Sequence, residues 1–329
     1  MRIPTETAAS AVYKDTRKVG RKPVVSDMEE NITPKKKHQF KGERTRSTLI
    51  IVGCLLVYLL TLHFNIRIGY TLMTAAVSAI GVYELMHAIG TKSKVLYGIA
   101  CGFSVLYILK VGFRISISQP LVILSFYALA LLIVTVALNK QIKYTETVMA
   151  FFASVALTYS LSCFIRLNDL HYLNDRFFHV EGLFLIWMAF SCSWVTDAMA
   201  FLTGRKFGKH KMSPNISPKK SFEGAIGGTL ITAVANIIIL LCWSLITKKM
   251  GYAYFMLNSN LKYLYMFLIS IVLSVVGMFG DLAASVLKRN VGIKDYSNLL
   301  PGHGGIMDRF DSCVFILPVL YGIYALIYG

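Results

Sequence analysis

Charged residues are scarce in this chain, and acidic residues are the scarcer kind. Only 16% of the 329 residues are Asp, Glu, Lys or Arg, with 17 acidic residues against 34 basic ones. The six cysteines occur singly and without a Cys-x-x-Cys spacing, which argues against a disulfide framework or a zinc-finger site. Neither a P-loop motif nor an ordered signal-peptide pattern is found, so we expect no P-loop nucleotide fold and no cleaved leader.

Apolar sequence is what the chain has in excess. Hydrophobic residues make up 55% of it, and its mean hydropathy is +0.58. The apolar runs are continuous and long enough to cross a bilayer as helices, whereas a β-barrel would show short alternating segments. The sequence therefore predicts an all-α polytopic membrane protein with about nine transmembrane helices. The predicted spans are Thr48–Phe64, Ile68–Met86, Val95–Leu109, Pro120–Leu138, Thr147–Ile165, Gly182–Thr203, Gly224–Ile246, Tyr263–Gly280 and Cys313–Tyr328.

Basic residues are distributed unevenly between the predicted loops. Most of the 34 lie on the side of the N-terminus, which by the positive-inside rule predicts a cytoplasmic N-terminus. We therefore expect a multi-pass protein of the cytoplasmic membrane whose active site faces the cytoplasm. Three regions are predicted: a disordered basic cytoplasmic tail at 1–46, an N-terminal transmembrane scaffold at 47–180, and a catalytic transmembrane domain with cytoplasmic motif loops at 181–329.

The most informative stretch runs from Gly280 to Ser312, between the last two predicted spans. It holds four Asp, four Lys or Arg, one His and five Gly within 33 residues. Ionisable groups at the edge of hydrocarbon are costly and usually functional. If helix continues past Asp281, then Asp281, Ser285 and Lys288 share one face, which presents a carboxylate, a hydroxyl and an ammonium group.

Two further carboxylates, Asp308 and Asp311, are spaced i and i+3 at the start of the final span. With Asp281 they offer the oxygen ligands that Mg²⁺ prefers, usually one or two carboxylates completed by water and phosphate oxygens. Neighbouring cations would then bind the anionic oxygens that the metal leaves uncovered. These cations are Lys288, Arg289, Lys294 and Arg309. The stretch predicts a metal-assisted phosphate site.

A second basic segment lies between Gly204 and Gly224 and contains six Lys or Arg. Ser217 followed by Pro218 is typical of a helix N-cap with proline at the first helical position. Lys219 and Lys220 would then lie beside a helix N-terminus, whose free N–H groups favour anions. On the residues alone, a triphosphate site and a simple topology signal are equally good interpretations.

The fixed polar positions of the two segments form a specific pattern. They read S-x-apolar-K-R, K-D, P-x-H-G-G and D-R-x-D, preceded upstream by WVTDAMAFLTGRKFGKHK and SPNISPKKSFEG. This pattern resembles the phosphatidate cytidylyltransferase family, the CDP-diacylglycerol synthases, from Trp194 to the C-terminus. Many relatives place Glu where this chain has Ala284. The matching positions are Ser285, Lys288, Arg289, Lys294, Asp295, Pro301, His303, Gly304, Gly305, Asp308, Arg309 and Asp311.

The resemblance implies that phosphatidate attacks the α-phosphorus of CTP, giving CDP-diacylglycerol and pyrophosphate in phospholipid biosynthesis. It implies Mg²⁺ on Asp281 and Asp308, with Asp311 in support and a K⁺ ion also present. CTP, phosphatidate and the bilayer are the expected partners, no nucleic acid is expected, and a homodimer is left open. The catalytic residues implied are Asp281, Ser285, Lys288, Asp308, Arg309 and Asp311, and the substrate-binding residues are Asp197, Arg205, Lys219, Lys220, Arg289, Lys294 and His303.

Three positions have a second interpretation. Asp197 either lines the substrate cavity or pairs with Arg205. His303 either shapes its glycine turn or donates to phosphate, with proton transfer as a lesser alternative. Glu84, near the inner end of the second span, is interpreted as an interfacial carboxylate paired with Lys92 rather than as a catalytic group.

Two other classes of protein use similar charges. A polyprenol or dolichol kinase would transfer the γ-phosphoryl group of CTP, and the intact pattern argues against it. A transporter would place charged residues across the midplane and in inverted repeats, whereas these residues cluster on one side and do not repeat. Radiolabel from α-labelled or γ-labelled CTP separates the three classes.

Overall fold

Long helices dominate the structure, a computed structural model that describes residues 34–116, 119–170, 179–214, 216–249, 261–301 and 303–328. Two short strands interrupt the helices between the sixth and seventh spans. In chain order the elements are α1 (Pro34–His63), α2 (Arg67–Ile89), α3 (Lys94–Gly112), α4 (Pro120–Ala137), α5 (Tyr144–Asn168), α6 (His179–Phe190), a π-helical turn (Ser191–Val195), α7 (Thr196–Phe207), β1 (Lys211–Ser213), β2 (Ser217–Ser221), α8 (Phe222–Lys249), α9 (Lys262–Asn290) and α10 (Met307–Tyr328).

Nine segments among the described residues are long and apolar enough to cross a membrane, which confirms the predicted number. The helices α6 and α7 and the turn between them form one of these, Glu181–Phe207.

Local chemistry sets several helix ends. Gly90 ends α2 in the left-handed conformation at φ 83°. At the start of α3, the Ser93 side chain accepts a hydrogen bond of 3.4 Å from the Leu96 N–H.

Small residues bring α7 and α8 into close contact. Gly224 and Gly228, four residues apart on α8, lie against Ala200 and Gly204 of α7. A Cβ on Gly224 would lie 2.6 Å from the Ala200 carbonyl oxygen, and one on Gly228 would lie 2.7 Å from the Ala200 nitrogen. Because helix association in lipid depends on close packing, this spacing explains why the two helices meet along their backbones.

Buried hydroxyl and amide groups join α7, α8 and α9 within the bundle. Thr196 Oγ1 donates to Thr232 Oγ1 (3.1 Å) and contacts Ser274 Oγ (2.9 Å). Asn236 Nδ2 donates to Ser270 Oγ at 3.0 Å. Such bonds fix the helices relative to one another where water is absent.

The apolar surface is divided between an interior and an outward face. The core includes side chains of α2, α5, α6 and α10. Helix α4, in contrast, presents Leu121, Phe126 and Val136 outward, each about 70% exposed. These outward side chains form the kind of surface that meets lipid tails in a membrane protein.

The end of the bundle at the start of α2 is held by ion pairs. Asp169 Oδ1 lies 2.8 Å from Arg67 Nη2 and 3.1 Å from Arg114 Nη2. Arg67 Nη1 also donates to the Gly112 carbonyl at 2.6 Å. The cluster therefore joins α2 to the ends of α3 and α5.

Two expectations about the chain's local structure are corrected here. Residues 34–46 of the predicted disordered tail are helical as the first part of α1, while residues 1–33 lie outside the described residues. The prediction that Ser217 and Pro218 begin a helix is also wrong, because they lie on β2, which pairs with β1 in an antiparallel hairpin. The cap lies four residues later, where Ser221 Oγ accepts from the Gly224 N–H (3.2 Å) at the start of α8. The hairpin register pairs Lys211 with Ser221 and Ser213 with Ser217.

Candidate active site

The two charged segments meet at one end of the bundle. Lys220 Nζ on β2 lies 2.5 Å from Asp281 Oδ2 on α9, and each side chain is 23% exposed. Helix α9 continues past Asp281, as the spacing predicts, and Ser285 Oγ donates to Asp281 Oδ1 at 3.4 Å. The hairpin and the end of α9 therefore form one polar surface.

Lys288, the third member of the predicted α9 face, turns instead to Asp308. Its Nζ donates to Asp308 Oδ1 at 2.7 Å, and the Asp308 side chain is only 3% exposed. The other oxygen of Asp308 accepts two backbone N–H groups, from Tyr296 (2.8 Å) and Gly305 (2.9 Å). Asp308 thus ties α9, the following loop and α10 together.

Tyr296 fills the space beneath this loop. The side chain is 3% exposed, and its hydroxyl donates to the Ala284 carbonyl at 3.3 Å. Burial, together with the charges of Asp308 and Asp311, raises the pKa of the Tyr296 hydroxyl above its ordinary value. The hydroxyl therefore stays protonated as a donor that links the loop to α9.

The glycine turn before α10 is closed by its own backbone. The Leu300 N–H donates to the Gly304 carbonyl (2.9 Å), and the His303 N–H donates to the Leu300 carbonyl (2.8 Å). Gly304 has φ 79°, a conformation that favours glycine. Helix α1 also contacts this turn: Ser47 Oγ donates to the Pro301 carbonyl (2.9 Å), and Thr48 Oγ1 lies 3.4 Å from His303 Nε2.

Glu84 is the residue that the sequence interpretation misplaced. Its predicted pairing with Lys92 is wrong: Glu84 is 2% exposed, and its carboxylate accepts hydrogen bonds from Ser297 in the loop before α10 and from the N–H of Met307 at the start of α10. The backbone N–H of Lys92 donates to Glu146 instead, at 3.2 Å. An isolated acidic residue within an apolar span is itself a signal of function. For Glu84 that signal is weak in the sequence, because no motif surrounds the residue.

A carboxylate also organises the hairpin at the start of α8. Glu223 accepts hydrogen bonds from the backbone N–H groups of Lys209 and His210, both at 3.1 Å, and lies 2.6 Å from His210 Nδ1. The chain before β1 is therefore fastened to the first turn of α8. Lys219 remains exposed on β2 beside Lys220.

The remaining predicted cations lie at the rim. Arg205 and Lys294 are exposed, and Arg289 Nη1 donates to the Ile293 carbonyl at 3.1 Å, at the end of α9. Arg309 is exposed in the first turn of α10, where its carbonyl accepts a 3.4 Å hydrogen bond from Trp194 Nε1. Of the predicted cations, Lys219, Lys220 and Arg309 therefore line the cavities described next, whereas Arg205, Arg289 and Lys294 line neither.

Two cavities of different character open at this end of the bundle. The larger, about 540 Å³, is lined mainly by apolar side chains from α1, α2, α5 and α6, and its polar lining includes Asp308, Arg309 and Asp311. The smaller, about 270 Å³, is lined by Lys219, Lys220 and Asp281 with neighbouring residues of the hairpin.

Asp197 lines both cavities. It lies in the first turn of α7, directly after the π-helical turn, a distortion often found at functional sites. Its Oδ2 lies 3.4 Å from Ser312 Oγ, and the Ser312 N–H donates to Asp311 Oδ1 at 2.8 Å. Asp197, Asp281 and Asp311 interact electrostatically across the junction of the cavities.

Taken together, the fold and the site define a polytopic membrane protein with a cluster of carboxylates and basic side chains at one end of its bundle. The chain matches the cytidylyltransferase family over residues 42–327 and belongs to it, which confirms the resemblance seen in the sequence. It is 32% identical over 265 residues to the phosphatidate cytidylyltransferase of Bacillus subtilis (strain 168), covering 79% of this chain and 90% of the relative.

Staphylococcal relatives match a shorter part of the chain more closely. The phosphatidate cytidylyltransferase of Staphylococcus haemolyticus (strain JCSC1435) is 43% identical over 140 residues, and that of Staphylococcus aureus (strain COL) is 40% identical over the same length. Each of these two alignments covers 43% of this chain and 48% of the relative.

Proposed function

We propose that the chain transfers a cytidylyl group from CTP to phosphatidate, giving CDP-diacylglycerol and pyrophosphate. The observation that carries this proposal is the junction at Asp197, where the mainly apolar larger cavity and the smaller cavity that contains Lys219 and Lys220 share a wall. A lipid phosphate and a nucleotide need such different surroundings, yet their reacting atoms must meet. The names of the relatives support the same reaction.

The larger cavity suits the lipid substrate. Apolar side chains such as Ile50, Val77 and Phe164 offer acyl chains a surface that keeps them out of water when the lipid leaves the bilayer for the site. Arg309 offers a guanidinium group to the phosphate at the polar end. In this proposal α1 is a wall of the substrate site as well as part of the scaffold.

The smaller cavity suits the triphosphate of CTP. Lys219 and Lys220 contribute two ammonium groups from one strand, and Arg205 lies exposed in the last turn of α7. Arg289 and Lys294 stay predicted contacts at the rim, and His303 stays a predicted phosphate donor. We assign nucleotide binding to this side because cations held on a hairpin can follow a chain of phosphates.

The reaction needs positioning and charge neutralisation more than a strong base. A phosphatidate oxygen forms a bond to the α-phosphorus while the bond from that phosphorus to the bridging β-phosphate oxygen breaks. Pyrophosphate leaves with the bonding electron pair, and its negative charge develops beside Lys220. Lys288 acts in this scheme through Asp308, and Ser285 by orienting Asp281.

The carboxylates at the junction fit a divalent cation such as Mg²⁺. Asp197, Asp281 and Asp311 interact electrostatically, so a cation would relieve their repulsion. No group of three His, Cys, Asp or Glu forms a ready ligand set in the described part of the chain, and Mg²⁺ commonly takes only one or two carboxylates with water and substrate oxygens. When bound, the ion would neutralise charge on the phosphate oxygens. Asp308 stays a predicted ligand, although its oxygens already have three partners, and K⁺ stays an expectation from the resemblance.

Two labelled substrates test the reaction. Purified protein in mixed micelles of detergent and phosphatidate should transfer label from α-labelled CTP, and not from γ-labelled CTP, into lipid when Mg²⁺ is present. Label from γ-labelled CTP would show a kinase, and no lipid label from either would contradict both enzymes. Removing divalent ions with a chelator should abolish transfer, and added Mg²⁺ should restore it.

We propose further that this end of the bundle faces the cytoplasm. Asn298 and Lys211 are exposed there, so single cysteines at either position, in a background lacking the native cysteines, should react with an impermeant thiol reagent only from the cytoplasmic side. Labelling from the opposite side would reverse the proposed orientation.

Whether the protein forms a homodimer is a separate question. Light scattering of the detergent-solubilised protein, corrected for bound detergent, gives the molar mass that answers it.

A further inference from the structure

Glu84 occupies an unusual position for an acidic residue. It lies on α2, within a segment long and apolar enough to span a membrane, and only 2% of it is exposed. Burying a carboxylate in such surroundings is costly unless hydrogen bonds compensate it. The structure shows where that compensation comes from: two of the three donors belong to the loop before α10, and the third is the N–H of Met307, the first residue of α10.

The donors surround the carboxylate from the loop and from the helix start. Ser297 Oγ donates to Glu84 Oε1 at 2.6 Å, and the Ile306 N–H donates to the same oxygen at 3.1 Å. The Met307 N–H donates to Oε2 at 2.8 Å. The backbone N–H groups in the first turn of a helix have no partner within the helix, so a side chain from α2 here caps α10.

The three hydrogen bonds to Glu84 form a clamp on the loop and the start of α10, and Gly305 shows how closely the loop packs against the carboxylate. A Cβ at Gly305 would lie 2.5 Å from Glu84 Oε2 and 2.6 Å from Oε1. The loop backbone therefore passes directly over the carboxylate, and Gly305 also donates its N–H to Asp308. Glu84 and Asp308 hold the same turn from two directions.

The residues that follow this clamp are those that reach the cavities. Asp308, Arg309 and Asp311 all lie in the first turns of α10 and line the larger cavity. Their side chains face it only when the start of α10 has the correct position and rotation. Shifts of about 1 Å in a reacting group can cost ~100-fold in rate.

We propose that Glu84 is a positioning residue for cytidylyl transfer, clamping the start of α10 so that Arg309 and Asp311 face the bound substrates. This inference rests on the proposed function. Glu84 itself contacts the loop and the helix start rather than the cavities, and it acts through the residues it holds.

The chemistry of the partners explains why a carboxylate is required. All three partners donate hydrogen bonds, and an ionised carboxylate offers two accepting oxygens. An amide offers one oxygen, and its NH₂ group would face an N–H donor. Aspartate keeps both oxygens but is shorter by one methylene, so it should restore part of the clamp.

The test compares Glu84→Gln, Glu84→Asp and Ser297→Ala with a matched control, Glu146→Gln. Glu146 also accepts a backbone N–H with its carboxylate, from Lys92, yet it lines neither cavity. Steady-state rates are measured with CTP and phosphatidate both varied, per amount of folded protein, and thermal unfolding is followed in the same micelles.

Glu84→Gln should lower kcat by ~10- to 100-fold while the KM of each substrate stays within about twofold, because the helix start loses its alignment with the reacting groups. Glu84→Asp should recover part of this loss, and Ser297→Ala, which removes one of three bonds, should lower kcat by a few-fold. Glu146→Gln should change kcat by less than about twofold.

Several outcomes would overturn the inference. A normal kcat per folded Glu84→Gln protein with reduced thermal stability would make Glu84 a purely structural residue. A raised KM for one substrate at unchanged kcat would make it a binding residue. If Glu84→Gln does not fold, unchanged kcat in both Glu84→Asp and Ser297→Ala would contradict the proposal. Failure of the wild-type protein to form any nucleotide lipid would instead contradict the proposed function, and so the two failures are distinguishable.

Discussion

Two lysine–aspartate pairs lie at the same end of the bundle, in surroundings that differ sharply. Lys220 and Asp281 are each 23% exposed and line the smaller cavity. Lys288 and Asp308 are 10% and 3% exposed, and Asp308 accepts two further backbone hydrogen bonds. We therefore expect the first pair to exchange partners when substrate binds, whereas the second is part of the framework.

The difference shows that residue type and spacing do not settle a role. In the sequence, Asp281 and Asp308 look like equal candidates for a metal ligand. Their surroundings differ in how readily each carboxylate could bind a ligand. Among the described residues, Asp281 pairs only with Lys220 and Ser285 at the smaller cavity, and a ligand could replace the contact with Lys220. The oxygens of Asp308 already accept hydrogen bonds from three donors. We therefore expect substitution of Asp281 to affect the reaction, and substitution of Asp308 to affect the fold as well.

The largest effect is expected for Asp281→Asn. The change keeps the side-chain volume and removes the charge that balances Lys220 and any bound cation. Activity should fall by ~1,000-fold, since a catalytic cation contributes several kcal/mol. Thermal stability should change much less than activity, because the amide oxygen of Asn can still accept a hydrogen bond from Lys220 and the pair is only partly buried. Radiolabel transfer and thermal unfolding of the same preparation measure both, and near-normal turnover would remove Asp281 from the site.

The second effect concerns the buried pair. Lys288→Met leaves the Asp308 charge buried without its partner and should destabilise the protein by ~3–5 kcal/mol. In an Asp308→Asn background the same change should cost less, because the two residues are coupled. The free energy of unfolding is measured in detergent, with a denaturing surfactant, for the wild type, the two single variants and the double variant. Additive effects would show that the two residues act independently.

A smaller effect should separate the hairpin lysines from their neighbours. Lys219→Ala and Lys220→Ala should each raise the KM for CTP by ~10-fold, as expected for loss of a charge-assisted contact of about 1.5–3 kcal/mol. Lys209→Ala is the matched control, because it removes an exposed lysine of the same segment that lies outside the smaller cavity. An unchanged KM in the Lys219→Ala, Lys220→Ala double variant would leave the hairpin without a role in nucleotide binding.

The smallest effect is expected at the far end of the bundle. Arg114 is 40% exposed where it pairs with Asp169, so Arg114→Gln should cost no more than about 1 kcal/mol of stability. Because the site lies at the other end, kcat should stay within about twofold. A large loss of activity would show that the two ends of the bundle are coupled, so that the local surroundings of a residue alone would not determine its effect on activity.

Much of the architecture follows from the sequence, because transmembrane helices have a strong local signal. The nine spans were predicted with ends within a few residues in most cases, and the continuation of α9 past Asp281 followed from helical spacing. The hairpin did not, since Ser217 and Ser221 are both good capping residues and the choice depends on the tertiary contacts of Glu223. Long-range contacts were also hidden: nothing near Glu84 or Ser47 indicates that residues more than 200 positions later will bind them.

Because Asp197 belongs to both cavities, the proposed function has the two substrates approach their meeting point from different phases. Neither would have to pass through the space of the other, so we expect either substrate to bind first and initial-rate plots to give intersecting lines. The products would leave by the same two routes. Pyrophosphate would return to water through the smaller cavity, while the new lipid would carry its nucleotide sideways into the membrane. On this proposal a single carboxylate marks the boundary across which a water-soluble group becomes part of a lipid.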